Sequence, residues 1–361
     1  MISNQQTPRR HDAKGSRRPR ARKASVGIPA GGIAAIVLGI VSVAAGCSQT
    51  LDAGLNTSHT QLPVDERNPI ILSNDGSNDN WSGEFAVLFA NSGGPQLAAI
   101  IVNATKYWPD LNANATGWNN LVAVARKAGL KNVPDVTRSE GTPFAPSADG
   151  KIESTTPNGS AGAKLILSLS RELSLPWRPL VVLACTQLTD LADAYLMDPT
   201  VVDRVVVVAS LGSYSASASK GFMTGPNGDL DPWADWIVAQ RFRYVQLTVA
   251  YDQSGDVTKD DFANLPKNAF GEWMQAKQPN LSGFLTAADQ LTVLSVALPN
   301  FATRPQPSIA DTSGGFSSHK GQGPPLVPNA NGNAWLDTEI QTSLVRSSLW
   351  RMLQAPQTWG L

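Results

Sequence analysis

Hydrophobic positions in this chain gather into short runs rather than alternating with polar ones. Pro69-Ile70-Ile71-Leu72, Leu97–Val102, Leu180–Ala184 and Val205–Ala209 are apolar along their length, and Tyr244–Ala250 is nearly so. Strands of this kind are buried on both faces. Between them lie stretches of helical character: Glu84–Ala90, Asn119–Gly129 with a Gly stop before Pro134, and Leu188–Met197 after a Thr cap. The alternation predicts an α/β fold, an open, mostly parallel sheet flanked by helices with a Rossmann-like core. The stretch 302–334 is rich in Pro, Gly, Ser and Asn and predicts a long surface excursion within reach of the site, followed by a closing helix over Trp335–Leu353.

The first 46 residues read as targeting rather than fold. Of 29 basic and 29 acidic residues, eight basic and one acidic fall in 1–23 and none in 24–46, which leaves 21 against 28 in 47–361, a net of −7. An acidic body without a basic stripe argues against nucleic-acid binding. The basic flank 17–23 precedes an apolar run, Val26–Ala45, that ends in Ala44-Ala45-Gly46-Cys47. Two readings stay open. Either the run is a signal peptide with a lipobox-like end and Cys47 is acylated, or it is an uncleaved anchor, since 23 uncharged residues can span a bilayer. Both place the domain outside the cytoplasmic membrane, in the cell envelope, tethered at its N-terminus. Residues 47–66 are a polar linker and 67–361 the folded domain, for which self-association stays open.

Few residues remain for redox or histidine chemistry. With Cys47 acylated, Cys185 stands alone in an apolar run, as a small buried residue would. His11 and His59 lie in the targeting segment and linker, so only His319 can serve the domain. A His-rich metal site or a Ser-His-Asp triad is therefore disfavoured.

Ligands of open α/β sheets bind beyond the carboxyl ends of the strands. That places Ser73-Asn-Asp-Gly-Ser-Asn-Asp-Asn80 where a ligand belongs. Its carboxylates, amide carbonyls and hydroxyls form an all-oxygen set suited to a hard cation such as Ca²⁺. The same residue types also make an ordinary strand-to-helix turn. Elsewhere the simple readings are structural. Asp193 and Asp198 read as solvated helix charges, and Asp229 and Asp231 as caps for a helix starting near Pro232. Trp233 and Trp236 read first as core, and Trp81, Trp108, Trp233 or Trp236 could stack on a base or sugar.

Pro69–Ala90 resembles the opening of the nucleoside hydrolase family, in which a strand runs into D-x-D-x-G-x-D-D and a helix. Leu183–Pro199 with Val205–Gly212, Pro232–Trp236 with Val249–Asp252, and Leu285–Pro299 resemble further family segments in the same order. The resemblance implies that Asp75 binds Ca²⁺ and deprotonates the attacking water, and that Asp79 holds a ribose hydroxyl. It puts Asn80 where the family has a calcium-chelating Asp, a backbone carbonyl ligand at Cys185 or Thr186, and a later calcium ligand at Asp289, whose alternative is a helix-start carboxylate. Asp235 falls near a sugar-contacting Glu. Departures are Ser73, Ser77, Ile237 for a sugar-binding Asn, and Ala288 for a His. The implied function is calcium-assisted hydrolysis of an N-glycosidic bond in a nucleoside or ribosyl compound. The alternatives are a binding protein on the same fold whose catalysis has decayed, and an enzyme of cell-wall sugars.

Overall fold

The computed structural model describes residues 62–76, 86–87, 94–210, 212, 227–247, 257–258, 263–265, 267–277, 284–285, 289–298, 301–303, 305–319, 322–337, 339, 341, 344 and 347–348. Cys47, Asp79, Asn80 and Trp81 lie outside them. Among the described residues no helix is long and apolar enough to cross a membrane.

The strands are β1 (Ile70–Asn74), β2 (Leu97–Val102), β3 (Val136–Arg138), β4 (Leu180–Ala184), β5 (Val205–Ser210), β6 (Arg243–Leu247), β7 (Val257–Thr258), β8 (Phe284–Leu285), β9 (Gln306–Ala310), β10 (Leu326–Pro328) and β11 (Ala334–Asp337). The helices are α1 (Leu111–Lys127), α2 (Ala161–Leu173), α3 (Thr189–Met197), α4 (Pro232–Arg241), α5 (Ala269–Lys277) and α6 (Gln290–Ala297). Nine strands form one sheet in the order β10-β9-β11-β6-β5-β4-β1-β2-β3, and β7 and β8 form a separate pair. All pairings from β11 through β6, β5, β4, β1 and β2 to β3 are parallel; β9 is antiparallel to both its neighbours.

The central strands β1, β4 and β5 are buried at every position. Because side chains alternate across a strand, each strand feeds two cores. Ile70, Leu72, Val181 and Leu183 join Trp118 and Leu121 of α1, Phe270 of α5 and Leu291 and Leu294 of α6. Ile71, Val182 and Val207 join Ile166 of α2, Leu191 of α3 and Trp233 and Ile237 of α4 on the other face.

Several expectations change. The helix placed at Asn119 begins at Leu111, because the Asp110 side chain caps the backbone N–H groups of Asn112 and Ala113. α3 begins with Leu188 as its cap residue and no side-chain capping bond. The supposed surface excursion 302–334 supplies β9, β10 and the start of β11, which extend the sheet past β6. Trp335 lies within β11 rather than opening a helix. Between β9 and β10 the chain lays Phe316 edge-on against Trp233 and Trp236, at 4.9 and 5.6 Å between ring centroids. That part of the excursion covers α4.

Asp193 is wholly buried, not a solvated charge. Its carboxylate accepts the backbone N–H groups of Asn158, Gly159 and Ser160 at 2.7, 3.1 and 2.7 Å, which fixes the start of α2. Asp198 is largely shielded and paired with Arg171 and Arg204 at 2.8 and 3.0 Å. Asp231 does cap α4, accepting from Ala234 N at 3.1 Å, and also receives Thr189 Oγ1 and Phe144 N. Asp190 takes the hydroxyls of Ser139 and Ser160 at 2.6 and 2.7 Å. These carboxylates lace the long β3–α2 connection to the helix layer.

Truncating Asp193 to Ala leaves buried donors without a partner, which costs roughly 3 kcal/mol. Glu140→Ala, removing one arm of an exposed pair with Arg138, costs under about 1 kcal/mol. Chemical denaturation of both variants measures the contrast. A second prediction concerns Asp337, at the end of β11. Burial pushes its carboxyl up to about 7; the Glu339 N–H pulls it down and the Glu339 charge adds to the rise. A carboxyl raised on folding contributes stability that is fully present below about pH 4 and lost as pH climbs to about 7. Asp337→Asn should therefore gain stability relative to wild type across that window, by on the order of a few kcal/mol at its upper end, read from denaturation midpoints against pH.

Candidate active site

β1 leaves the sheet with polar residues at its carboxyl end. Asn74 is wholly buried. Its Oδ1 accepts the Asp75 N–H at 2.7 Å, and its Nδ2 donates to Asp289 Oδ2 at 3.2 Å. One amide thus touches the Asp75 backbone and the Asp289 carboxylate, more than 200 residues apart in sequence. Asp289 lies just before α6, and its side chain makes no capping bond there. It therefore stands at the helix start, as the helix-start reading has it, without capping the helix through its side chain.

Asp75 is 5% exposed. Its Oδ2 accepts Thr105 Oγ1 at 2.8 Å and its Oδ1 the Gly76 N–H at 2.7 Å. Burial pushes this carboxyl up, and the Thr105 and Gly76 bonds oppose the rise. Thr105 belongs to the β2–α1 loop. Its hydroxyl also accepts the Trp108 N–H at 3.1 Å, and Asn114 donates to the carbonyls of Asn103 and Trp108 at 3.0 Å each. Trp108 lies over Gly76 so closely that a Cβ there would sit 2.6 Å from the ring. Trp108 remains 43% exposed, so one partly open aromatic face stands over the residue after Asp75.

The end of β4 completes the cluster. The Cys185 N–H donates to the Ser73 carbonyl at 2.9 Å. The Cys185 thiol is buried, with Sγ 3.3 Å from Thr292 Oγ1 in α6. The Thr186 hydroxyl is buried without a hydrogen-bond partner. Asp75, Asp289 and the Cys185–Thr186 segment therefore meet at the carboxyl ends of adjacent strands. Asp235 does not join them at the surface. It is wholly buried in the first turn of α4, with Tyr244 Oη 3.3 Å from Oδ1 and the backbones of Gly228 and Gly323 against its carboxylate. Ile237 is likewise inside the core, and Trp233 and Trp236 are core residues as expected. His319 packs against Trp236, 5.3 Å between ring centroids.

Asn74 is among the loop oxygens that the sequence offers; Thr105 is absent from the sequence-based candidates. The strand rule could have found it: Asn103-Ala-Thr105 follows the apolar run Leu97–Val102 just as Ser73–Asp75 follows Ile70–Leu72. Among the described residues no group of three or more His, Cys, Asp or Glu side chains gathers as a metal cluster.

No family model matches the sequence, and no curated protein matches it. The fold does have solved counterparts. An inosine-guanosine nucleoside hydrolase superposes with a TM-score of 0.57 at 15% identity, over 80% of this chain and 99% of that one. A purine-preferring ribonucleoside hydrolase from Gardnerella vaginalis gives 0.54 at 15%, over 81% and 99%. The type III effector protein XopQ, solved with adenosine diphosphate ribose, gives 0.50 at 15%, over 83% and 96%. The fold is that of the nucleoside hydrolases, an α/β sheet of mostly parallel strands between helices.

Thr105→Val removes the hydroxyl that favours the ionised Asp75, so burial acts with less opposition. The Asp75 carboxyl should then titrate higher than in wild type, followed by carboxyl-carbon NMR with Asp75→Asn as the assignment control.

Proposed function

We propose that this chain is an exported, membrane-tethered hydrolase of N-glycosidic bonds, acting on a nucleoside or another ribosyl compound. The observation that carries the reading is Asn74, at the carboxyl end of a central parallel strand, which bonds the Asp289 carboxylate and the backbone N–H of Asp75, whose own buried carboxylate follows directly. The fold shared with nucleoside hydrolases and with an effector bound to adenosine diphosphate ribose supports a ribosyl ligand. Export and tethering rest on the basic flank, the apolar run and Cys47.

Calcium fits the donors present: two carboxylates, of Asp75 and Asp289, and a buried Thr186 hydroxyl without a partner are the hard oxygens it prefers. When bound, such a cation lowers the pKa of an attacking water and steadies ring hydroxyls. Asn80, where the family has an Asp, offers one negative charge fewer and so weaker affinity. Asp75 acts as the base. Burial raises its proton affinity toward neutral pH, where a general base works best, while Thr105 and Gly76 hold its two oxygens in place. Asp79 would hold the ribose and Trp108 would offer a face to the base.

A second reading, a binding protein whose catalysis has decayed, is favoured by Ala288, which cannot protonate a leaving base. Asp75→Asn separates the two. A hydrolase should lose turnover of its best nucleoside by roughly 10²–10⁴-fold, measured with the purified full chain and added Ca²⁺. A binding protein should show ligand-induced thermal stabilisation without turnover, unchanged by the substitution.

A further inference from the structure

At the amino ends of the strands, opposite the Asp75 cluster, the domain carries an apolar turn that its own packing does not use. Between α2 and β4, Leu175 and Arg178 exchange two backbone hydrogen bonds of 2.9 Å. The exchange thrusts Leu175, Pro176 and Trp177 outward. Leu175 is 42% and Trp177 65% exposed, and Pro176 is exposed as well. Arg178 lies 5.7 Å from the Trp177 ring centroid. The base of the turn is rigid: Ser174 Oγ accepts the Leu180 N–H and donates to the Arg204 carbonyl, at 2.9 and 2.8 Å. Scattered exposed apolar residues need no explanation, but three in a row on a braced turn form a patch.

The position of the turn is informative. Asn68 Nδ2 donates to the Pro179 carbonyl at 2.7 Å, and Val181 N donates to the Pro69 carbonyl at 2.9 Å. The N-terminal segment therefore joins the sheet beside the turn. Helices between parallel strands end at this same side. Their last turns carry cations, as the helix dipole favours: Arg126 is paired with Asp135, Arg171 with Asp198 and Arg241 with Glu153, and Lys127 is exposed. Glu172 adds an exposed acid; Asp198 is already bonded to Arg171 and Arg204.

We propose that the Leu175–Arg178 turn is a membrane-surface contact that seats the domain on an anionic bilayer, with the Asp75 end facing away. The proposal rests on the tethered reading above. Fourteen residues, 48–61, separate Cys47 from the described domain, a short tether. The turn is thus held near the bilayer at an effective concentration on the order of millimolar, where a weak contact suffices. Tryptophan prefers the headgroup region, and arginine meets anionic lipid there. A second copy of the chain fits less well, since three apolar side chains fall far short of the roughly 800 Å² per partner that a stable interface buries.

The test uses the full chain reconstituted into phosphatidylcholine vesicles containing phosphatidylglycerol, with brominated acyl chains. Brominated lipid should quench part of the tryptophan emission. Trp177→Phe should remove at least half of that quenching, and Trp108→Phe, at the far end of the domain, should leave it unchanged. Equal quenching in wild type and Trp177→Phe overturns the contact while leaving the tether standing. Failure of the full chain to float with the vesicles overturns the tether and the contact with it. Cross-links between copies through Trp177→Cys would assign the patch to a second copy and overturn the proposal.

Discussion

Burial of the central strands on both faces is the constraint from which the rest follows. A strand packed between two helix layers can hold no polar side chain along its length without an internal partner. β1, β4 and β5 obey this until their last residues. Polar chemistry is therefore displaced to the strand ends. At the carboxyl end the strands stop in Ser73-Asn74-Asp75, Cys185-Thr186 and Ser210, and the loops that follow converge because the strands are parallel and in register. The site is a by-product of how the core closes.

The same constraint explains the buried acids. Helices α2, α3 and α4 share one face of the sheet, and the long β3–α2 connection must cross their starts. Its backbone N–H groups need acceptors away from water. Asp193 and Asp231 provide them, while Asp190 ties Ser139 to Ser160 at the two ends of that connection. Charge is tolerated inside because each carboxylate receives several directed donors. The work of these residues is architectural, even though Asp190 and Asp231 are raised by burial in the manner of many active-site acids.

Legibility in the sequence followed the strength of the local signal. The five apolar runs are strands because nothing else suits so continuous a pattern, and their alternation with helices was enough for the fold class. α2 obeys the same rules, with Ser160 as its cap and Ala163, Ile166 and Leu167 on one face. β9 and β10 were hidden because they are short, contain Pro307 and Pro328, and bury only some of their positions. Asp193 was misjudged because its partners lie more than thirty residues away, where no local rule reaches. In the site, Asp75 and Asp289 could be named from a motif. Asn74 lies in the loop the sequence singles out, but its bond to Asp289 could not be read there, because a hydrogen bond across 215 residues leaves no trace in spacing.

Cys185 illustrates what such packing does for a reactive side chain. Its thiol is closed off between β4 and α6, against Thr292. Oxidants and foreign thiols meet it only while the chain is unfolded. The fate of this cysteine is therefore a race between collapse of the sheet and oxidation. A variant that folds slowly would betray itself by covalent dimers rather than by lost activity.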